Sequence, residues 1–293
     1  MSKVVIRKTG KIYQENYPRG ATFLYDNVFG KIILWFAIKR FFSLLVGKYM
    51  NTNISTKHIS KFIKCNSIDM KEYPKKKYKS FNDFFSRKID LTKRPFSKLN
   101  NDFIAPCDSK LLVYKINKNR TFNVKGKEYT LCEILRDEIL AEEYNNGYFM
   151  VFRLSVDDYH RYHFIDSGIV LENRKINGKF HTVGPIAFRN HKIFQENQRE
   201  FSILKTKNFG KVIYMEVGAL MVGKIVNHKI DKFIKGEEKG YFLFGGSTVI
   251  VIVKENVIKI DDDILNNSLN DIETKIKFGE KIAKRVVVKN DKV

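Results

Sequence analysis

An α+β fold follows from three features of the 293-residue sequence. They are an aromatic, cation-interrupted apolar segment at residues 24–46, a helix-capping pattern at Ser80, and short alternating runs from about residue 103 onward. Together they predict a helical, membrane-facing N-terminal region over residues 1–100. It packs on a mainly antiparallel β domain of sandwich or barrel-like form over residues 101–293.

Residues 1–20 are polar and lack the long apolar core and small-residue cleavage site of a secretory leader. In residues 24–46 apolar side chains dominate, but Lys31, Lys39 and Arg40 interrupt them, and the longest apolar run, residues 32–38, is seven residues. A spanning helix needs about 20, so the segment is expected to lie on a surface instead of crossing a bilayer. Cations beside Trp35, Phe36, Phe41 and Phe42 suit a helix in the lipid interface; a helix packed on the domain core fits the same pattern. Lys75, Lys76, Lys77 and Lys79 read as a solvated loop. Ser80 then caps a short helix through Phe84 and Phe85, with Asp83 at the capping-box position.

Beyond residue 103, strands are expected at 110–116, 147–154, 211–217, 222–230 and 248–253, and the pattern at 130–143 is helical. Residues 260–270 read as loop before a closing strand around 286–288. The run Thr248-Val249-Ile250-Val251-Ile252-Val253 reads as a buried strand entered from a Gly245-Gly246-Ser247 turn.

The net charge of +22 is concentrated ahead of that turn: residues 247–293 carry only +1, leaving +21 for residues 1–246. Such an excess fits a densely anionic partner, lipid or nucleic acid; the lysine-rich codon usage of AT-rich genomes accounts for the same count. Cys65, Cys107 and Cys132 have no C-x-x-C spacing, which excludes a disulfide framework or zinc-finger pattern and fits a reducing compartment.

Three places hold polar residues where strands should simply end. Asp108 sits in a turn, the usual place for an Asp bonded to its own backbone. His160 and His163 lie three apart, on one side of a helix or turn. The other histidines, His58, His181, His191 and His228, stand apart, and no Cys or carboxylate near His160 has a familiar ligand spacing, so no metal is expected. Acid–base work by the imidazoles is preferred. Asp108, a histidine and Ser247 could form a triad, but Gly246-Ser247 is not a G-x-S-x-G elbow because Val249 replaces the closing glycine.

The motif Phe244-Gly245-Gly246-Ser247-Thr248 resembles the processing site of the phosphatidylserine decarboxylases, and Asp158-Tyr159-His160-Arg161-Tyr162-His163 resembles their Asp-Tyr-His-Arg-x-His block. Similar pieces occur in family order at 84–87, 105–109, 194–199, 217–219 and 278–280. Cys107-Asp108-Ser109 departs from the Asp-Gly pair of many members but keeps the acid.

The resemblance implies a self-processing carboxy-lyase that converts phosphatidylserine to phosphatidylethanolamine. Ser247 would attack the Gly246 carbonyl with His163 as base and Asp108 orienting it, cutting the catalytic β domain between residues 246 and 247. Position 247 would become a covalent pyruvoyl cofactor that binds substrate as a Schiff base, with His160 as proton donor or positioning group. The two fragments would stay together as a heterodimer, with further oligomerisation left open, peripheral on the cytoplasmic face of the cell membrane and held by anionic phospholipid. A serine hydrolase using Asp108, His163 and Ser247 on an external substrate is the alternative. A nucleic-acid-binding protein is less favoured, because no recognition motif is present.

Overall fold

The computed structural model describes residues 2–16, 19–220, 224–245 and 247–286. Its centre is a ten-stranded open sheet with the order Lys232–Phe233, Gly168–Ile176, Arg199–Thr206, Gly210–Val217, Ser247–Val253, Tyr148–Leu154, Ser109–Lys115, Ile272–Ile276, Ser2–Ile6, Ile12–Glu15. Every neighbouring pair is antiparallel except Ser2–Ile6 with Ile272–Ile276. Two three-stranded sheets and one hairpin accompany it. The expectation of α+β with mainly antiparallel sheets is met; the barrel-like form is not, because the large sheet ends in free edges at Lys232–Phe233 and Ile12–Glu15.

The Ser247–Val253 strand is buried along its whole length, between Gly210–Val217 and Tyr148–Leu154. Its five fully buried side chains from Val249 to Val253 contribute roughly 7–15 kcal/mol of gross burial energy at about 1.5–3 kcal/mol each. The β-branched run therefore occupies the middle of the sheet, where side chains are covered on both faces.

Helix α1 (Arg19–Asp26), α2 (Val28–Ala37) and α3 (Arg40–Met50) carry the N-terminal apolar segment. Asn27 caps α2 by accepting from the Phe29 and Gly30 N–H groups. Gly30 is required where α1 and α2 meet: a Cβ there would lie 1.9 Å from the Phe23 carbonyl oxygen. On α2 only Gly30, Leu34 and Ala37 are buried. Val28, Phe29, Ile32, Ile33, Trp35 and Phe36 are all more than half exposed, and Phe41 of α3 is 71% exposed. No described helix is long and apolar enough to cross a membrane.

Helix α4 (Ile59–Cys65) and α5 (Phe81–Phe85) follow. Ser80 Oγ accepts from the Asp83 N–H at 3.1 Å, as the capping pattern predicts. Phe81, Phe84 and Phe85 form a separate buried cluster that Phe244 joins.

Some expectations differ from the structure. Residues from the stretch read as helical form the last two strands of the large sheet, Ser2–Ile6 and the edge strand Ile12–Glu15. Residues 260–270, read as loop, contain the helix Asp262–Leu269, whose acidic first turn suits the positive end of a helix. The closing strand is Lys281–Arg285; residues 287–288 lie outside the described residues, as do 221–223 at the start of the strand expected over 222–230, where Ile225–Asn227 is observed.

Candidate active site

Sheet register brings the predicted site residues to one end of the central strands. Ser247 opens its strand opposite Leu154, the last residue of Tyr148–Leu154. On the other edge of that strand runs Ser109–Lys115, with Asp108 immediately before it. Asp108 and Ser247 thus stand two strand spacings apart, roughly 10 Å. Gly245 has φ +139°, a conformation that disfavours any residue with a Cβ. Gly246, the expected site of the scissile carbonyl, lies outside the described residues.

The Ser247 hydroxyl is fully buried and has no hydrogen-bond partner among the described residues; neither has Thr248 Oγ1. Each unsatisfied buried hydroxyl costs about 1–3 kcal/mol. Both hydroxyls lie at the entrance to a strand that is buried along its whole length.

Asp108 is held elsewhere than expected. Its carboxylate accepts from Arg94 at 2.7 and 3.1 Å and from the Phe278 N–H at 2.8 Å, and it makes no hydrogen bond to His163. Arg94 is also paired with Glu72, whose carboxyl is lowered to about 2, chiefly by that hydrogen bond. The link from Asp108 to His163 runs through Phe278: the ring whose backbone N–H Asp108 fixes stacks on the imidazole at 3.9 Å.

The two histidines face different surroundings. Arg161–His163 form a strand and His160 lies just before it, so the one-sided helix or turn expected from the i, i+3 spacing is absent and the two rings take different partners. His163 Nδ1 bonds to the Gly236 carbonyl at 3.0 Å, and its Nε2 meets the Tyr159 hydroxyl at 3.3 Å. His160 Nδ1 bonds to the Asp158 carbonyl at 2.9 Å, while its Nε2 is buried and unpartnered. A carbonyl only accepts, so both rings carry their proton on Nδ1 and keep the Nε2 lone pair. Burial drives both toward neutrality: His163 falls to about 4, and His160 to about 3 with further help from the Arg87 charge. His160 is tied to the approach to the turn. Its carbonyl accepts from the Phe242 N–H at 2.9 Å, and its ring packs at 4.0 Å on Phe85, which packs edge-on against Phe244.

Arg87 is a residue the sequence reading left without a role. It is 2% exposed, yet among the described residues Nε and Nη1 have no partner; Nη2 donates to the Tyr73 hydroxyl and the Asp157 carbonyl. Tyr73 and Phe84 lie under its guanidinium at 4.4 and 4.9 Å. The Arg87 guanidinium, with two idle nitrogens, and His160, with an idle Nε2, are buried polar groups whose charges act on one another. Its place two residues after Phe84-Phe85 gave no signal of burial. Arg94 and Phe278 were equally silent, because their roles depend on contacts made across the fold.

The family described as phosphatidylserine decarboxylase matches residues 81–284, a span that includes Arg87, Asp108, His160, His163 and Ser247. The chain belongs to the phosphatidylserine decarboxylase family. It is 53% identical to phosphatidylserine decarboxylase proenzyme 2 of Clostridium acetobutylicum over 92% of this chain and 94% of that protein. It is 43% identical to the phosphatidylserine decarboxylase proenzyme of Clostridium novyi over 98% and 100%, and 41% identical to that of Clostridium beijerinckii over 97% and 99%. Similarity to these decarboxylase proenzymes therefore extends beyond the matched span into the N-terminal helices.

Proposed function

We propose that this protein is a self-processing carboxy-lyase that converts phosphatidylserine to phosphatidylethanolamine at a pyruvoyl group made from Ser247. The carrying observation is the complete burial of an unpartnered Ser247 hydroxyl directly after a glycine pair. A nucleophile with no exposure has its own chain as the reachable electrophile, which disfavours a hydrolase acting on an external ester. Family membership favours the same reading over a nucleic-acid-binding protein.

In self-processing, Ser247 Oγ bonds to the Gly246 carbonyl carbon as its proton passes to a base, and the Gly246–Ser247 C–N bond breaks with protonation of the amine. Loss of the residue-247 α-proton then expels the Gly246 carboxylate and leaves dehydroalanine. Tautomerisation and addition of water release ammonia and leave the keto group. His163 is assigned the base because it is neutral at pH 7 and keeps its Nε2 lone pair, with Tyr159 as the contact it must release. Asp108 acts on it by fixing Phe278 against the ring.

The residues fit the group they would generate: Gly245 has the backbone freedom, and position 247 is fully buried. The pyruvoyl group supplies a carbonyl that takes the substrate amine and accepts electrons as carbon dioxide leaves. His160 is assigned to proton delivery through its free Nε2, and Arg87 to the anionic part of the substrate. The exposed aromatic and aliphatic face of α2 and α3, together with the basic excess of residues 1–246, is assigned to the anionic bilayer, as a peripheral protein on the cytoplasmic face of the membrane.

A denaturing gel and mass spectrometry test the proposal. Active protein should give fragments of residues 1–246 and 247–293, the second blocked to N-terminal sequencing, and Ser247→Ala should remain one 34.4 kDa chain. An active, uncut chain would reject it. Sedimentation with anionic but not neutral vesicles tests the membrane assignment; equal binding to both refutes the electrostatic part.

A further inference from the structure

His181 and His191 stand ten residues apart in sequence, and neither bonds to Ser247, Asp108, His160 or His163. The fold stacks their rings at 3.9 Å and brings Glu196 to both: His181 Nε2 lies 3.7 Å and His191 Nδ1 3.5 Å from the same Glu196 oxygen. One ligand atom from each of the three residues falls within 4.8 Å of the others. A tetrahedral ion with metal–ligand bonds of about 2.0–2.1 Å needs ligand atoms roughly 3.4 Å apart. Two of the three edges already approach that.

His181 is pre-set for coordination. Asn197 grips its backbone, accepting from the His181 N–H at 3.0 Å and donating to its carbonyl at 2.8 Å. The side chain is 2% exposed, and Nε2 has no hydrogen-bond partner. Nδ1 faces the Tyr25 hydroxyl at 3.3 Å, whose oxygen also accepts from the Thr182 N–H. With Nδ1–H donated to that oxygen, the lone pair is on Nε2, the outer-ligand arrangement typical of a metal-bound imidazole. Glu196 is oriented by the Lys192 N–H at 2.9 Å.

We propose that His181, His191 and Glu196 form a binding site for one divalent transition-metal ion, with zinc the best match to two imidazoles and a carboxylate. The groups facing the cluster are Lys179, which holds the shared Glu196 oxygen at 3.2 Å and is displaced on binding, and Tyr25 from α1. The fourth position opens onto a cavity of about 480 Å³ that Lys31, Leu34, Trp35 and Ile38 also line. The ion would therefore sit under α2. Through Tyr25 it would pin the exposed helices to the sheet domain, a role separate from the chemistry at Ser247.

Tag-free full-length protein, stripped with chelator and titrated with Zn²⁺ alone, should take up one ion per chain. Co²⁺ should give the visible bands of a tetrahedral nitrogen–oxygen site without a thiolate charge-transfer band. His191→Ala, at a half-buried position, and Glu196→Gln should each weaken binding at least about tenfold, the low end even for loss of a group that only supports a ligand, with circular dichroism unchanged. Ser247→Ala should bind as wild type does, which separates this site from the decarboxylase reading. Absence of saturable binding, or binding unchanged in both ligand variants, overturns the proposal.

Discussion

If His163 is the base for self-processing, the pH profile of chain cleavage should differ sharply from that of an exposed histidine. Burial lowers its pKa to about 4. At pH 5.5 an ordinary imidazole with pKa about 6.5 would be only about 9% neutral, whereas one with pKa about 4 is about 97% neutral. The rate of fragment appearance should therefore stay flat from pH 7 to 5.5, instead of dropping about tenfold. Precursor made by cell-free synthesis can be exchanged rapidly into buffers across this range and quenched at intervals for gel analysis. Asp158, raised to about 6 by burial, is the nearby group that could bend the profile; an inflection that vanishes in Asp158→Asn belongs to it. A tenfold loss centred near pH 6.5 that survives in Asp158→Asn would refute the assignment. The same shift makes acid costly for folding. Below about pH 6.5 the unfolded chain gains protons that the buried rings refuse, so stability falls by about 1.4 kcal/mol per unit per histidine until the folded pKa is reached. Circular dichroism at each pH should accompany the kinetics.

Arg94→Met should leave the buried Asp108 and the partly buried Glu72 without their shared cation. We expect about 3–5 kcal/mol of lost stability, read by urea unfolding in a Ser247→Ala background, and a change under about 1 kcal/mol would contradict the burial argument. Gly240→Ala would set a Cβ 2.2 Å from the Val226 carbonyl oxygen and 2.7 Å from the Tyr162 hydroxyl. It should lower thermal stability by about 1–3 kcal/mol; an unchanged melting temperature would show that the small sheet can give way. Arg87→Met should leave self-cleavage intact but reduce phosphatidylethanolamine formation roughly tenfold to a hundredfold, the worth of a charge-assisted hydrogen bond. Equal loss of both activities would instead make Arg87 a structural residue.

The sequence is most legible where a local pattern already contains the physical cause. Ser80 needs only its own chain to cap α5, and the run from Val249 to Val253 tolerates little but a covered position. Illegible features are those made by distant partners. Ser2–Ile6 is a strand because Ile272–Ile276 lies beside it, which nothing in the first residues announces. Asp108 is visible as an acid in a turn, but its commitment to Arg94 and Phe278 is not. The His160 and His163 spacing suggested a shared face, but only His163 lies in a strand and the two rings take different partners. His181 and His191 read as isolated because ten residues separate them and only the fold stacks their rings beside Glu196.

The order of the large sheet also bears on what cleavage would leave. Of its strands, Ser247–Val253 and Ile272–Ile276 follow the proposed cut, yet each is flanked on both edges by strands that precede it. Neither fragment owns the large sheet whole, so the two are expected to hold their fold only together. The heterodimer would have no dissociation equilibrium distinct from unfolding: dilution should not separate the pieces, and labelled and unlabelled small fragments should not exchange between native molecules. A fragment set free would expose unpaired strand edges, making its loss an irreversible event.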